Sequence, residues 1–254
     1  MSLRIRGFGA CMIDGFPLPP ETGFLHQAVR HLREKGKLDV DLDVVSMAGF
    51  PADRVQKHLA KEVLAHEPDV VVFQFGSTDA ITALRSGFGV RWFFSKDARN
   101  RRPFNRSERG EVSSQPPALR DLLTWQLRNL GTEILLVPPR TALEDYLASI
   151  LNMVDECRDA GTAVVVLSPF VMGVNRSNRF ARRYARALEE QLSRIPRAYF
   201  LDAHNLLSQE RRSRMLLRDG FHLSARAHQI LGVALGQLLE KVVQSGCVTL
   251  AEDL

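Results

Sequence analysis

Two runs of β-branched and aromatic residues constrain this chain more than any other feature: DVVVFQF at 69–75 and TAVVVLSPF at 162–170. Neither alternates polar with apolar, as a strand with one wet face would. A nearly continuous apolar strand is buried on both faces, and a sheet buried on both faces is a parallel one covered by helices. The chain supplies such helices. In ETGFLHQAVRHLREKG (21–36) the apolar residues fall at Phe24, Leu25, Ala28, Val29 and Leu32, a helical spacing, with Gly36 as the stop. The spacing predicts further helices over 52–66, 118–131, 143–161, 179–195 and 224–246, the last capped by Ser224. Between them LRIRGFG (3–9), VDLDVVSM (40–47) and AYFLDA (198–203) read as strands, and EILLVPP (133–139) as a short strand or an apolar linker.

The resulting order is βαβαβ, an insertion, then αβαβα. Strands that alternate with helices predict an α/β sandwich of three layers around a parallel sheet. There is no internal repeat and no linker that divides the chain, so one domain is expected over residues 1–254, with an Arg-rich insertion at about 85–117. The insertion is too long for an ordinary connection. It holds Trp92, Phe93 and Phe94, suited to stacking on a sugar ring or an acyl chain, and Arg99, Arg101 and Arg102, suited to carboxylates or phosphates. Read without a ligand, it is a disordered or dimer-forming loop.

Composition excludes several classes. No apolar run approaches the roughly 20 residues of a membrane-spanning helix, and the first residues, MSLRIRGFGACMIDGF, read as a strand rather than a signal peptide, so a cytoplasmic protein is expected. Three cysteines, Cys11, Cys157 and Cys247, stand far apart with no CxxC pair, which argues against a zinc site or a disulfide framework. The net charge of +5 comes with basic runs at 99–109, 179–186 and 211–214. These are solvated faces or a docking surface for an acidic polymer; no nucleic-acid motif accompanies them.

Ligands of open parallel sheets bind beyond the carboxyl ends of the strands, where strand order reverses. Four segments fall at that edge: Gly9-Ala10-Cys11-Met12, Ala48-Gly49-Phe50, Gly76-Ser77-Thr78-Asp79 and, before the last helix, Asp219-Gly220-Phe221-His222. Together they offer a thiol, small residues with exposed N–H groups, a hydroxyl and an Asp three residues before a His. Those are the parts of a nucleophile–base–orienter site. His222 is the candidate base, Asp219 its orienter and Cys11 the nucleophile, with the N–H groups of Cys11 and Gly49 and the Thr78 hydroxyl as oxyanion donors. Without chemistry, Cys11 is a buried thiol, His222 a loop histidine and Thr78 a turn residue. Asp79 is expected to anchor its loop through backbone hydrogen bonds.

These residues carry a resemblance to the SGNH/GDSL esterases. DVVVFQFGSTDA (69–80) resembles the family's strand and loop ending in Gly-x-Asn-Asp, and DGFHLSARAHQIL (219–231) its terminal Asp-x-x-His block. GFGACMIDG (7–15) stands in the place of the Gly-Asp-Ser block, and MAGFPADRV (47–55) matches the second block, whose Gly binds the oxyanion. The resemblance implies a flavodoxin-like sheet of order 2-1-3-4-5, no metal or organic cofactor, and hydrolysis of O-acyl esters on carbohydrates or lipids. Three positions depart from the pattern: Cys11 stands for the family's Ser, Thr78 for its Asn, and Ala10 for its Asp. The readings that follow are an esterase or deacylase acting through Cys11, His222 and Asp219, an acyltransferase using the same residues, or a binding protein that has lost its chemistry. The expected partner is a small-molecule or carbohydrate ester. The sequence does not fix the oligomeric state.

Overall fold

A computed structural model of the chain describes residues 2–36, 38–82 and 115–245. Five strands form one sheet in the order β2-β1-β3-β4-β5, and every pair runs parallel: β1 (Ser2–Gly9), β2 (Asp39–Ser46), β3 (Val70–Gln74), β4 (Ala163–Leu167) and β5 (Ala198–Leu201). This is the architecture expected from the two apolar runs. Those runs are β3 and β4, and all ten of their residues are buried.

Alternation along each strand divides the core in two. Leu3, Ile5, Val70, Val72, Ala163, Val165 and Leu167 pack on one side with α1 (Phe24–Lys35) and, near the carboxyl end of the chain, α10 (Ala225–Gln244). Phe8, Val71, Phe73, Val164 and Val166 face the other side. They meet the short α2 (Ala52–Val55) and α3 (Leu59–Glu62), together with α6 (Leu143–Asp159) and α7 (Asn175–Leu192). Between β3 and α6 lie α4 (Ser77–Ala80) and α5 (Leu119–Ile134), and β5 is followed by α8 (Ala203–Ser208) and α9 (Arg212–Met215). Residues 83–114 fall outside the described residues, and with them Trp92, Phe93, Phe94, Arg99, Arg101 and Arg102; Cys247 also lies outside them.

One sequence expectation needs correction, and one left open between two readings is decided. The single helix over 52–66 is instead α2 and α3 with 3-10 turns at Gln56–His58 and Leu64–His66. The break coincides with the buried Arg6 of β1, whose Nε donates to the Glu62 carbonyl at 2.6 Å. That carbonyl would serve the His66 N–H in a continuous helix; His66 N–H instead donates to the Val63 carbonyl at 3.1 Å. The segment 133–139 holds no strand. α5 runs on to Ile134, Leu136 turns left-handed at φ 49°, and the chain continues as the linker of the alternative reading. The short α8 and α9 carry too few residues for a periodic signal. Ser224 caps α10 as predicted, its Oγ accepting from Ala227 N–H at 3.3 Å. Among the described residues, no helix is long and apolar enough to cross a membrane.

The contact of α1 with α10 depends on two glycines. A Cβ at Gly232 would lie 2.5 Å from Gln27 Cβ and 3.1 Å from the Phe24 carbonyl, and one at Gly236 would lie 2.8 Å from His31 Cβ. Glycine inside a helix costs about 1 kcal/mol relative to alanine, so Gly232→Ala gains propensity but overpacks the interface, at about 1–3 kcal/mol. A net loss of stability is expected, seen as a lower urea midpoint with an unchanged slope. A midpoint equal to or above wild type would show that the two helices separate freely.

Candidate active site

Parallel register brings three loops to one edge. Gly9 at the end of β1 is level with Ser46 of β2 and Gln74 of β3. Cys11 therefore follows β1 at the point where strand order reverses, with Gly49 beyond β2 and Thr78 beyond β3. The joints are close. Met47 N–H donates to the Gly9 carbonyl at 2.7 Å, and Ala10 N–H donates to the Gln74 carbonyl at 2.9 Å. Gly49 adopts φ 75°, a left-handed conformation that lets the backbone turn sharply before α2.

Asp79 fastens two of these loops together. It is fully buried, with Oδ1 accepting from Ala52 N–H at 3.0 Å and Oδ2 from Gly76 N–H at 3.1 Å. Its carbonyl accepts from the N–H groups of Arg140 and Thr141, at 3.0 and 3.2 Å. Burial raises the Asp79 carboxyl above its ordinary range despite these donors. This is the anchoring role that its position predicts. Arg140, which no spacing singled out, also donates from Nη1 to the Gly49 carbonyl at 3.0 Å. The linker after α5 thus holds the loops of both Gly49 and Thr78.

The fourth loop is closed on itself. Leu216 bridges Leu223, Leu217 N–H donates to the His222 carbonyl at 2.8 Å, and Ser224 N–H to the Met215 carbonyl at 2.9 Å. Inside this closure Asp219 Oδ1 accepts from Phe221 N–H at 2.9 Å and His222 N–H at 3.0 Å. Its Oδ2 is left to meet His222 Nδ1 in a close hydrogen bond. Gly220 has φ 70° and lies flat on Trp125 of α5: a Cβ there would be 2.7 Å from the indole. Trp125 Nε1–H donates to the Arg218 carbonyl at 3.3 Å, and Arg218 Nε donates to Asp121 Oδ2 at 2.9 Å. α5 is thus the wall behind the Asp219 loop. Sequence reasoning missed it because a Trp on an apolar face reads as ordinary core.

The structure brings Cys11, His222 and Asp219 into one line. Cys11 Sγ lies 3.3 Å from His222 Nε2, while Asp219 occupies the other ring nitrogen. The imidazole is fully buried, with Phe16 and Phe221 ring centroids 5.1 and 5.3 Å from its own in edge contacts. Burial alone would lower the His222 pKa. The electrostatic influence of Cys11, followed by the hydrogen bonds of Asp219 and Cys11, outweighs it and pushes the imidazole up to about 10. Burial would likewise raise Asp219, but the His222 hydrogen bond and charge hold its carboxyl below the usual range. The neighbouring His228 behaves in the opposite way. Burial and then the His222 charge lower it to about 3, and it stacks as a neutral ring on Phe24, accepting the Phe24 N–H at 3.2 Å. Among the described residues no acceptor takes the N–H of Cys11 or Gly49 or the hydroxyl of Thr78, and no cluster of three or more His, Cys, Asp or Glu could hold a metal ion.

An Asp–imidazole–thiol line of this kind can transfer a proton to or from the sulfur and stabilise a thiolate. The Cys11 charge heads the influences that raise His222, so Cys11→Ser is expected to lower the His222 pKa from its value of about 10. NMR titration of the ring nitrogens reads both values. An unchanged titration would show that no thiolate faces the ring.

Residues 8–230 match the GDSL-like Lipase/Acylhydrolase family. No curated protein sequence matches the chain. Solved structures similar to it include a catalytic mutant of an acetylxylan esterase from Geobacillus stearothermophilus, 16% identical with a TM-score of 0.58 over 93% of each chain. A lipase/acylhydrolase from Enterococcus faecalis is 15% identical, with a TM-score of 0.58 over 95% of this chain and 96% of its own. The lipase Lip_vut3 from a goat rumen metagenome is 14% identical, with a TM-score of 0.59 over 98% of this chain and 99% of its own. At these identities the structural likeness concerns the fold alone, and the family match carries the assignment: the chain belongs to the GDSL-like lipase/acylhydrolase family and is an esterase-type hydrolase.

Proposed function

We propose that this protein removes O-acyl groups from a carbohydrate or similar small substrate through Cys11, His222 and Asp219, with the whole of 1–254 acting as one SGNH-type unit that carries an insertion at about 85–117. The observation that carries the reading is the 3.3 Å approach of Cys11 Sγ to His222 Nε2, with Asp219 on the opposite nitrogen. The Cys11 thiolate attacks the ester carbonyl carbon and a C–S bond forms. The negative charge that develops on oxygen meets the N–H groups of Cys11 and Gly49 and the Thr78 hydroxyl. The C–O bond then breaks, and the departing alkoxide takes the proton of the His222 imidazolium. Water, deprotonated by His222, attacks the thioester. The C–S bond breaks, the carboxylic acid leaves, and the thiolate–imidazolium pair is restored. Asp219 stays ionised throughout and holds the ring. The carbohydrate assignment rests on the acetylxylan esterase among the structural neighbours.

A second reading, transfer of the acyl group to an acceptor other than water, draws on the same sulfur, because a thioester passes its acyl group readily to amines and alcohols. Incubation with p-nitrophenyl acetate or acetylated xylooligosaccharide, followed by intact mass, tests both. An acetyl adduct and product release are expected for wild type. Cys11→Ala should abolish both, and His222→Ala should lower them by at least ~100-fold. The other described thiol, Cys157, is pushed up to about 12 by burial and then by Glu156, and should stay unlabelled. Acyl products on an added alcohol identify transfer. A folded protein that binds the ester with neither adduct nor turnover would sink the catalytic reading.

The charge state of the pair gives the pH dependence a definite sign. The working form holds thiolate and imidazolium, and the imidazolium is lost as pH rises through its raised value of about 10. The alkaline limb of kcat/KM for wild type should therefore lie well above neutrality. Cys11→Ser needs a neutral imidazole as base, so its residual kcat/KM should rise with pH through the His222 pKa. A wild-type profile that rises in the same way would show a neutral thiol–imidazole pair.

A further inference from the structure

Two basic runs, 179–186 on α7 and 211–214 at the start of α9, take no part in the chemistry at Cys11. In the structure they meet. Arg212 Nη1 donates to the side-chain oxygen of Asn175, which ties α9 to the first residue of α7. The arginines of these elements divide by their partners. Arg176 and Arg179 share Glu133, Arg194 pairs with Glu190, and Arg214 with Glu210. Arg182, Arg186, Arg211 and Arg212 have no carboxylate partner among the described residues. Arg182 is two helical turns beyond Asn175 and Arg186 one turn further, so the three share a face of α7 with Arg212 at its near end. Glu189 and Glu190 bound that face at its far end.

The charges of this group act on one another and on His204 of α8. His204 is buried, and its Nδ1 has no partner among the described residues. Burial and then the charge of Arg182 lower its pKa; Arg212 adds to the effect, while Asp202 and a hydrogen bond to the Phe170 carbonyl oppose it. The half-buried Arg212 is itself held below its ordinary value, by burial and then by Arg182. Like charges gathered without counter-charges destabilise a folded chain, and a bound polyanion removes that cost. The face also stands close to the catalytic edge. Gly173 N–H donates to the Gly220 carbonyl at 2.7 Å and Asn175 N–H to Asn129 Oδ1 at 2.6 Å, so α7 starts from the turn packed against the Asp219 loop.

We propose that Arg182, Arg186, Arg211 and Arg212 form a docking face for the carboxylates of an acidic polysaccharide, so that the natural substrate is an acylated polymer of uronic acids. The choice of a carbohydrate among polyanions rests on the esterase reading above. Guanidinium groups match carboxylates in shape and charge. Other polyanions fit less well. A surface that holds single-stranded nucleic acid sets aromatic side chains among its cations for the bases to stack on. The aromatic residues of α7 are Phe180, packed against the core, and Tyr184, which is buried. A helix that lies on anionic lipid needs exposed apolar residues beside its cations, whereas the exposed neighbours here are Asn175, Asn205 and Ser208.

Fluorescence polarisation with labelled, unacetylated oligogalacturonate tests the proposal on the full chain. Wild type should bind at about 20 mM salt and release the ligand at about 500 mM. Arg182→Gln with Arg212→Gln should weaken binding by about tenfold or more. Arg194→Gln removes a charge already paired with Glu190 and should leave binding within about twofold. If the double variant loses the circular dichroism of the folded chain, Arg182→Gln alone decides, since that side chain makes no bond within the described residues. Bound carboxylates should also raise the His204 pKa by offsetting Arg182, which NMR titration of the ring reads. No binding at low salt overturns the docking face, and so does an equal loss in Arg194→Gln. Equally tight binding of oligothymidylate, lost in the same double variant, overturns the assignment to an acidic polysaccharide. Because the ligand carries no acyl group, the two readings fail separately. A protein that binds it but forms no acyl adduct keeps the face and loses the esterase; one that hydrolyses esters but ignores it does the reverse.

Discussion

A carboxylate placed behind a fully buried imidazole must find its hydrogen-bond donors before it can orient anything. Asp219 finds them in its own loop. Two consecutive N–H groups, from Phe221 and His222, take one oxygen and leave the other for the ring. This local arrangement determines much around it. The loop must fold back on itself, which the Leu216–Leu223 bridge enforces. It must also turn left-handed at Gly220, and the missing side chain there lets Trp125 close the space below. α5 is thereby fixed against the sheet edge, although it follows the longest interruption in the chain. A residue far from the chemistry in sequence thus becomes part of the site's geometry, and a change at Trp125 would be felt at His222 without touching it.

The side that holds Gly49 and Thr78 is built on a different principle. No single loop there closes on itself; three loops are held by cross-ties. Strand register brings Cys11, Gly49 and Thr78 to one edge, and Asp79 joins the second loop to the third. Arg140 adds a bond to the Gly49 carbonyl from the linker after α5. The two halves of the site therefore share α5 and the segment that leaves it. Their relative position depends on how that helix sits.

The sequence revealed these features unevenly, for physical reasons. The sheet was legible because strands buried on both faces have no alternative to apolar residues, and a parallel order follows from the helices between them. The edge that holds the site followed from the sheet, since each short motif could be placed at a strand end. The Asp219–His222 pair was legible because its hydrogen bonds are local. What escaped were interactions between distant segments: Arg6 taking the Glu62 carbonyl where a continuous helix was expected, Trp125 under Gly220, and Arg140 on Gly49. His228 escaped for another reason. Its spacing from His222 suggests nothing, yet its neutral ring stacks on Phe24 and packs near the site. Periodicity reports how a residue meets its own helix or strand; it carries no information about which remote backbone group a guanidinium will reach.

The three departures from the family pattern become consistent once the nucleophile is taken as a thiolate. Sulfur is larger than oxygen, so a longer approach of 3.3 Å to the imidazole is still hydrogen-bond distance, and a thiolate forms more readily than an alkoxide. A carboxylate at position 10 would then stand beside a negative sulfur at the start of the 3-10 turn Cys11–Asp14. Ala10, which makes no side-chain cap there, removes that repulsion. The demand on the base also falls. In the acylation step of the proposed mechanism His222 would only have to surrender a proton to the departing alkoxide, and it would act as a base only toward the water of the second step. Thr78 is the departure with a remaining cost. A hydroxyl on a short, branched side chain replaces a longer amide donor, and the loss of such a donor elsewhere slows turnover by about 100–1000-fold. On this reading the site gains a nucleophile that needs less activation and gives up part of its hold on the developing oxyanion.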